Sequence, residues 1–186
     1  MSLIKKAPSF SRTFLPDSER AMRSIFASSL LFLSVTILIS ADAAPPKKED
    51  MPKYIAAVSN PSATAKVRAE AAEMIGKRGA INVKDVESAI EPLKRAAQKD
   101  KDANVRSSAV TALGSIAPEP ASTVPLLIEV LKNDASQEVK FSTVFALSRF
   151  GPQAKSALPA IRDFSKNLDK KQAKAVRTAT AAITGN

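Results

Sequence analysis

Four ten-residue stretches carry the same pattern of apolar and polar positions: Val67–Gly76, Val105–Gly114, Val139–Ser148 and Val176–Gly185. In each, small or apolar residues hold the first, fifth, eighth and ninth places, which share one stripe of a helix with 3.6 residues per turn. A basic residue follows each valine, at Arg68, Arg106, Lys140 and Arg177. The valines recur at intervals of 38, 34 and 37 residues, and self-similarity at such a period marks a stack of repeated units. Glycine at the tenth place of three stretches predicts a helix stop. Pro118 and Pro152 lie just beyond two of the four stretches.

A second apolar helix precedes each later stretch. Its core residues are Val86, Ile90, Leu93 and Ala97, then Val124, Leu127, Ile128 and Leu131, then Leu158, Ile161, Phe164 and Leu168. Each has an early proline: Pro92, Pro125 or Pro159. With Ser122 as N-cap, Pro125 falls in a first turn, where its missing N–H is harmless. With a helix starting at Asp85, Pro92 lies deeper and predicts a kink. The first unit has only Tyr54–Val58 for this role, as suits an atypical terminal repeat. No stretch of the mature chain sustains the two-residue alternation of a strand. The pattern predicts an all-α chain of about four helix pairs, which bury their apolar faces only by stacking.

The P-x-L/I-x-x-L first helices, D-x-x-V-R turns and A-x-x-A-L-G second helices resemble the HEAT-repeat family, in its short bacterial form called phycobilisome-lyase-type HEAT-like repeats. The resemblance covers about Pro52–Asn186. It implies a right-handed α-solenoid of antiparallel helix pairs, with the second helices on the concave side. It also implies a ladder between repeats, built from an aspartate of each turn and the basic residue of a second helix. Here the ladder residues are Asp102, Arg106, Asp134, Lys140, Asp169 and Arg177. Ser59-Asn60-Pro61 replaces the first aspartate, so the ladder is expected to begin at the second repeat. Lys140 lacks the bidentate fork of arginine. The same aspartates are suited to capping the second helices. The family name carries no implication of lyase activity.

Ahead of the repeats, Ile25–Ile39 is free of charge, Arg20 and Arg23 precede it, and Ala41-Asp42-Ala43 follows. This is the layout of a secretory signal peptide over residues 1–43, with Met22 an alternative start. The apolar run is shorter than the ~20 residues of a spanning helix; an uncleaved anchor is the alternative. Residues 44–52, proline-rich and charged, read as a linker, and 53–186 as the repeat domain. The expected location is periplasmic or secreted in a bacterium, with membrane contact only through the leader.

Composition narrows the chemistry. The 186 residues include no Cys, His or Trp and five Gly. Thiolate and imidazole chemistry, zinc ribbons and disulfides are excluded. The dispersed glycines make no phosphate-binding loop, and the one S-x-x-K match, Ser2–Lys5, lies in the leader. The pairs Asp100/Asp102 and Glu70/Glu73 read as surface charge. No catalytic residue, metal site or cofactor is expected, and the function indicated is protein binding or scaffolding.

Two surfaces stand out. Phe141 and Phe145 take the third and seventh places of their stretch, opposite the core stripe at about 100° per residue, and Arg149 continues their line. Aromatics beside an arginine have the composition of a binding hot spot, unless the rings pack under a neighbouring helix. The alternative surface is the basic C-terminal face of Lys166, Lys170, Lys171 and Lys174. It suits an anionic polymer or membrane headgroups if one helix carries them all. It lacks the aromatics of a single-strand platform, so no nucleic acid is expected. The aromatic patch also allows self-association.

Overall fold

The fold is that of a computed structural model, described over residues 45–185; residues 1–43, expected to be a signal peptide, lie outside them. The described residues form eight α-helices and no strand. They pair as α1 (Met51–Ser59) with α2 (Ala65–Gly79), α3 (Ile90–Lys99) with α4 (Ala103–Ile116), α5 (Pro120–Asn133) with α6 (Gln137–Arg149), and α7 (Leu158–Ser165) with α8 (Lys170–Thr184). The second helices α2, α4, α6 and α8 stack in one row, and the first helices form a looser row beside it. One continuous core lies between the rows, including Ile75, Leu93, Leu113, Leu127, Leu147 and Ile183. This is a HEAT-type solenoid. Among the described residues, no helix is long and apolar enough to cross a membrane.

The stripe valines follow their place in the stack. Val105, Val139 and Val176 are buried, while Val67 is 44% exposed, no repeat preceding its own among the described residues. The prolines depart from the sequence reading. Two short 3₁₀ turns, Val83–Asp85 and Glu87–Ala89, precede α3, so Pro92 falls in the first turn of α3, where its missing N–H is one of the helix's four unpaired donors. Conversely α5 starts at Pro120, ahead of Ser122, which places Pro125 inside the helix.

Two of the three tenth-place glycines serve a different purpose from the stop expected of them, while Gly185 ends α8 as expected, left-handed at φ 79°. Helix α2 runs past Gly76 to Gly79, and α4 runs past Gly114 to Ile116. A Cβ on Gly76 would lie 2.9 Å from the Ala112 Cα, and one on Gly114 would lie 2.7 Å from the Ala146 Cα. The glycine of one repeat thus receives the alanine two positions earlier in the next repeat's pattern. This lets the second helices approach until backbone meets backbone. At the third step Ser148 and Ile183 take these two places, and α8 packs less extensively on α6. Helix α4 ends instead on Ala117, left-handed at φ 45° and ψ 56°, where glycine is the usual occupant.

Candidate functional site

The turns between paired helices are built on an aspartate with two partners. Asp100 accepts the Asp102 N–H at 2.9 Å, and Asp134 accepts the Ser136 N–H at 2.8 Å, each closing its own turn. Each also receives the guanidinium of the preceding repeat. Arg68 donates from Nε and Nη2 to Asp100 at 2.7 and 2.8 Å. Arg106 donates likewise to Asp134 at 2.7 and 2.9 Å. The third nitrogen of each guanidinium reaches a backbone carbonyl, that of Ala63 for Arg68 and of Asp100 for Arg106. Burial alone would raise Asp100 and Asp134. The arginine and backbone hydrogen bonds outweigh it and hold both carboxyls below 3.8. The same side-chain bonds, against desolvation, push the guanidiniums of Arg68 and Arg106 further up.

Four of the ladder expectations change. Asp102 is not a rung but the N-cap of α4, accepting the N–H groups of Asn104 and Val105 at 2.9 and 3.3 Å. The rung acid is Asp100, two residues earlier, so the ladder starts at Arg68 in the first repeat. Asp169 caps α8 by accepting the Gln172 N–H at 2.8 Å, and Asn167 stands in the rung place. Lys140 therefore has no carboxylate to meet and donates to the Lys132 carbonyl at 3.4 Å. Arg177, on α8, is exposed, and no further turn follows it among the described residues. Asp134 and Arg106 form the second rung.

The step between the third and fourth repeats is held by an aromatic pair. Phe141 is half-buried and meets Phe164 of α7 edge-on, with ring centroids 5.2 Å apart and planes at 77°. The expected exposure of Phe141 is thus corrected. The third place of this stretch faces the next repeat, and the ring fills the seam where the charged rung is missing. Phe145 is 46% exposed, and Arg149 is also exposed.

Phe145 and Arg149, with Ser142, wall a groove of about 180 Å³ between α4 and α6, with Thr111 and Ser115 opposite on α4 and Gly114 and Ala146 as its floor. The groove exists because the small floor residues remove side-chain bulk between two adjacent helices. Thr111 is shared with a second depression of about 360 Å³, lined by Ala69, Glu73, Asn104, Ser107, Ser108 and Glu138. The two form one channel across the second-helix face. Hydroxyls line its middle, where the Ser107 and Ser142 oxygens are 2.8 Å apart. Carboxylates stand at one end and Arg149 at the other. Glu73, Thr111 and Phe145 hold the same place in successive repeats. The change from carboxylate to hydroxyl to aromatic ring at this place was therefore legible in sequence, although the channel depends on the close helix approach.

The basic face divides. Lys166 follows the end of α7 and pairs with Asp163 at 2.7 Å, while Lys170, Lys171 and Lys174 begin α8 beyond a turn. One helix does not carry all four. Lys170 and Lys174, with Arg177, form an exposed stripe on α8. Among the described residues no group of His, Cys, Asp or Glu is placed to hold a metal ion.

A comparison with curated proteins finds no match. Residues 51–148, from α1 to the end of α6, match the family described as HEAT repeats. With paired helices, an Arg–Asp rung at each of the first two inter-repeat steps and glycine-set spacing, the chain belongs to the HEAT-repeat family.

Proposed function

We propose that this chain is a non-catalytic binding module of the bacterial envelope, which holds an extended segment of a partner protein in the channel across its second helices. HEAT repeats commonly mediate protein–protein interaction and scaffolding, and the envelope location rests on the composition of the leader. The observation that carries the reading is the exposure of Phe145 beside Arg149 at a groove with a backbone-level floor. A large exposed ring is costly in water, and aromatic and arginine side chains are the usual centres of binding energy. The hydroxyl-lined middle offers hydrogen bonds to a peptide backbone, and the charged ends give it a direction.

The test uses the purified chain and its Phe145→Ser/Arg149→Ser variant as paired baits for an envelope extract, at low and high salt. A protein held by the first and released by the second supports the reading. Equal retention by both removes it. The exposed α8 stripe of Lys170, Lys174 and Arg177 favours a second reading, attachment to an anionic polymer or membrane surface. Retention that collapses with salt and ignores Phe145 moves the function there.

A further inference from the structure

A second concavity lies at the other end of the stack, on the edge where α1 and α3 end. Its volume is about 320 Å³, at the lower end of the roughly 300–1,000 Å³ of small-molecule sites. Val58, Pro61, Pro92 and Ala96 give it apolar walls, and Arg95, Lys99 and Lys101 line it beside the Arg68–Asp100 rung. None of the three cations has a carboxylate within ion-pair distance among the described residues. The nearby acids are committed elsewhere: Asp100 to Arg68 at 2.7 Å and Glu91 to Lys94 at 2.9 Å.

This arrangement is electrostatically uncomfortable in the free protein. Arg95 and Lys99 are four apart on α3, a like-charge spacing that destabilises a helix. One cation in the last turn of α3 is explained by the carbonyl end of the helix. Lys99 fills that role, and Arg95 and Lys101 are in excess of it. Proline walls add apolar surface without side-chain freedom to lose on binding. We infer that this cleft binds a small amphiphilic organic anion, its apolar body against Val58, Pro61, Pro92 and Ala96 and its charged group among Arg95, Lys99 and Lys101. The site is independent of the Phe145 channel.

The probe is 8-anilinonaphthalene-1-sulfonate, an aromatic body with one sulfonate, followed by its own fluorescence on titration into the folded full chain. The expected result is saturable binding that weakens about tenfold or more in Arg95→Ser/Lys99→Ser and is unchanged in Phe145→Ser. Lys101→Ser, outside the helix, gives a smaller loss in the same direction. Circular dichroism checks that the helices survive these exposed changes. Decanoate should displace the dye, and decanol should do so less well. Absence of dye binding, binding indifferent to the cations, or loss confined to Phe145→Ser each overturns the inference. Only the last outcome bears on the channel, where it shows an apolar ligand at Phe145 instead.

Discussion

Replacing Gly114 by alanine sets two effects of opposite sign against each other. In a helix interior alanine is favoured over glycine by about 1 kcal/mol. The new methyl, however, would sit 2.7 Å from the Ala146 Cα and 2.8 Å from its Cβ, several tenths of an ångström inside normal contact. These atoms are backbone and first side-chain carbon, so no rotamer change relieves the clash, and α4 and α6 must separate. Overpacking a well-packed site costs about 1–3 kcal/mol, and the rigidity here places it near the upper end. The net expectation is a loss of about 2 kcal/mol, or several degrees in Tm. Gly76→Ala, whose methyl meets the Ala112 Cα at 2.9 Å, should lose less. Urea unfolding followed by circular dichroism at 222 nm measures both. A midpoint unchanged or raised in Gly114→Ala would refute the claim that backbone approach, not helix termination, places glycine here.

The remaining predictions concern single contacts. Ala117→Gly relieves the left-handed backbone at the end of α4 and should stabilise by about 0.5–1 kcal/mol, read in the same unfolding assay; a loss would mean the Ala117 methyl contributes packing. Arg106→Ala leaves the Asp134 carboxylate without its fork and should cost about 2–3 kcal/mol. Lys140→Arg, which finds Asn167 in place of a carboxylate, should stay within about 0.5 kcal/mol of the parent. The carboxyls of Asp100 and Asp134 lie below 3.8 in the folded chain. Their contribution is complete above the unfolded value and is lost as pH falls below about 4 through the folded values. Urea midpoints should therefore fall as pH drops below about 4, and fall less in Arg106→Ala. Phe141→Ala should destabilise by about 2–3 kcal/mol through the lost ring pair, whereas Phe145→Ser should change stability by under about 0.5 kcal/mol and abolish partner retention.

The helix pairs were legible because their signal is repeated: one stripe, four times, at a near-constant period. What escaped the sequence depended on direction within a seam. Phe141 and Phe145 lie on the same side of an idealised helix, yet one ring turns into the interface with Phe164 and the other remains exposed. Only the presence of α7 distinguishes them. The rung acid was misplaced by two residues because Asp100-Lys101-Asp102 contains two candidates, and a carboxylate before a helix suits both a cap and an ion pair. Asp134-Ala135-Ser136 held the clue: where serine takes the cap, the first acid alone is free for the arginine. A tenth-place glycine fits a stop, as at Gly185, so Gly76 and Gly114 were also read as punctuation. Their actual use requires knowing which alanine of the next repeat faces them.

The seams of this stack are unequal. The first two each combine a bidentate Arg–Asp bridge with a glycine–alanine contact; the third has an aromatic pair and bulkier spacing residues. A chain with such a gradient should not loosen uniformly. Slow amide exchange should be concentrated in α2, α4 and α6, with α7 and α8 opening at lower free energy as a separate unit. The channel at Phe145, lined by residues of α2, α4 and α6, then lies within the stiff body. A ligand seated there meets a surface whose shape outlasts opening of the last repeat, because no residue of α7 or α8 lines it.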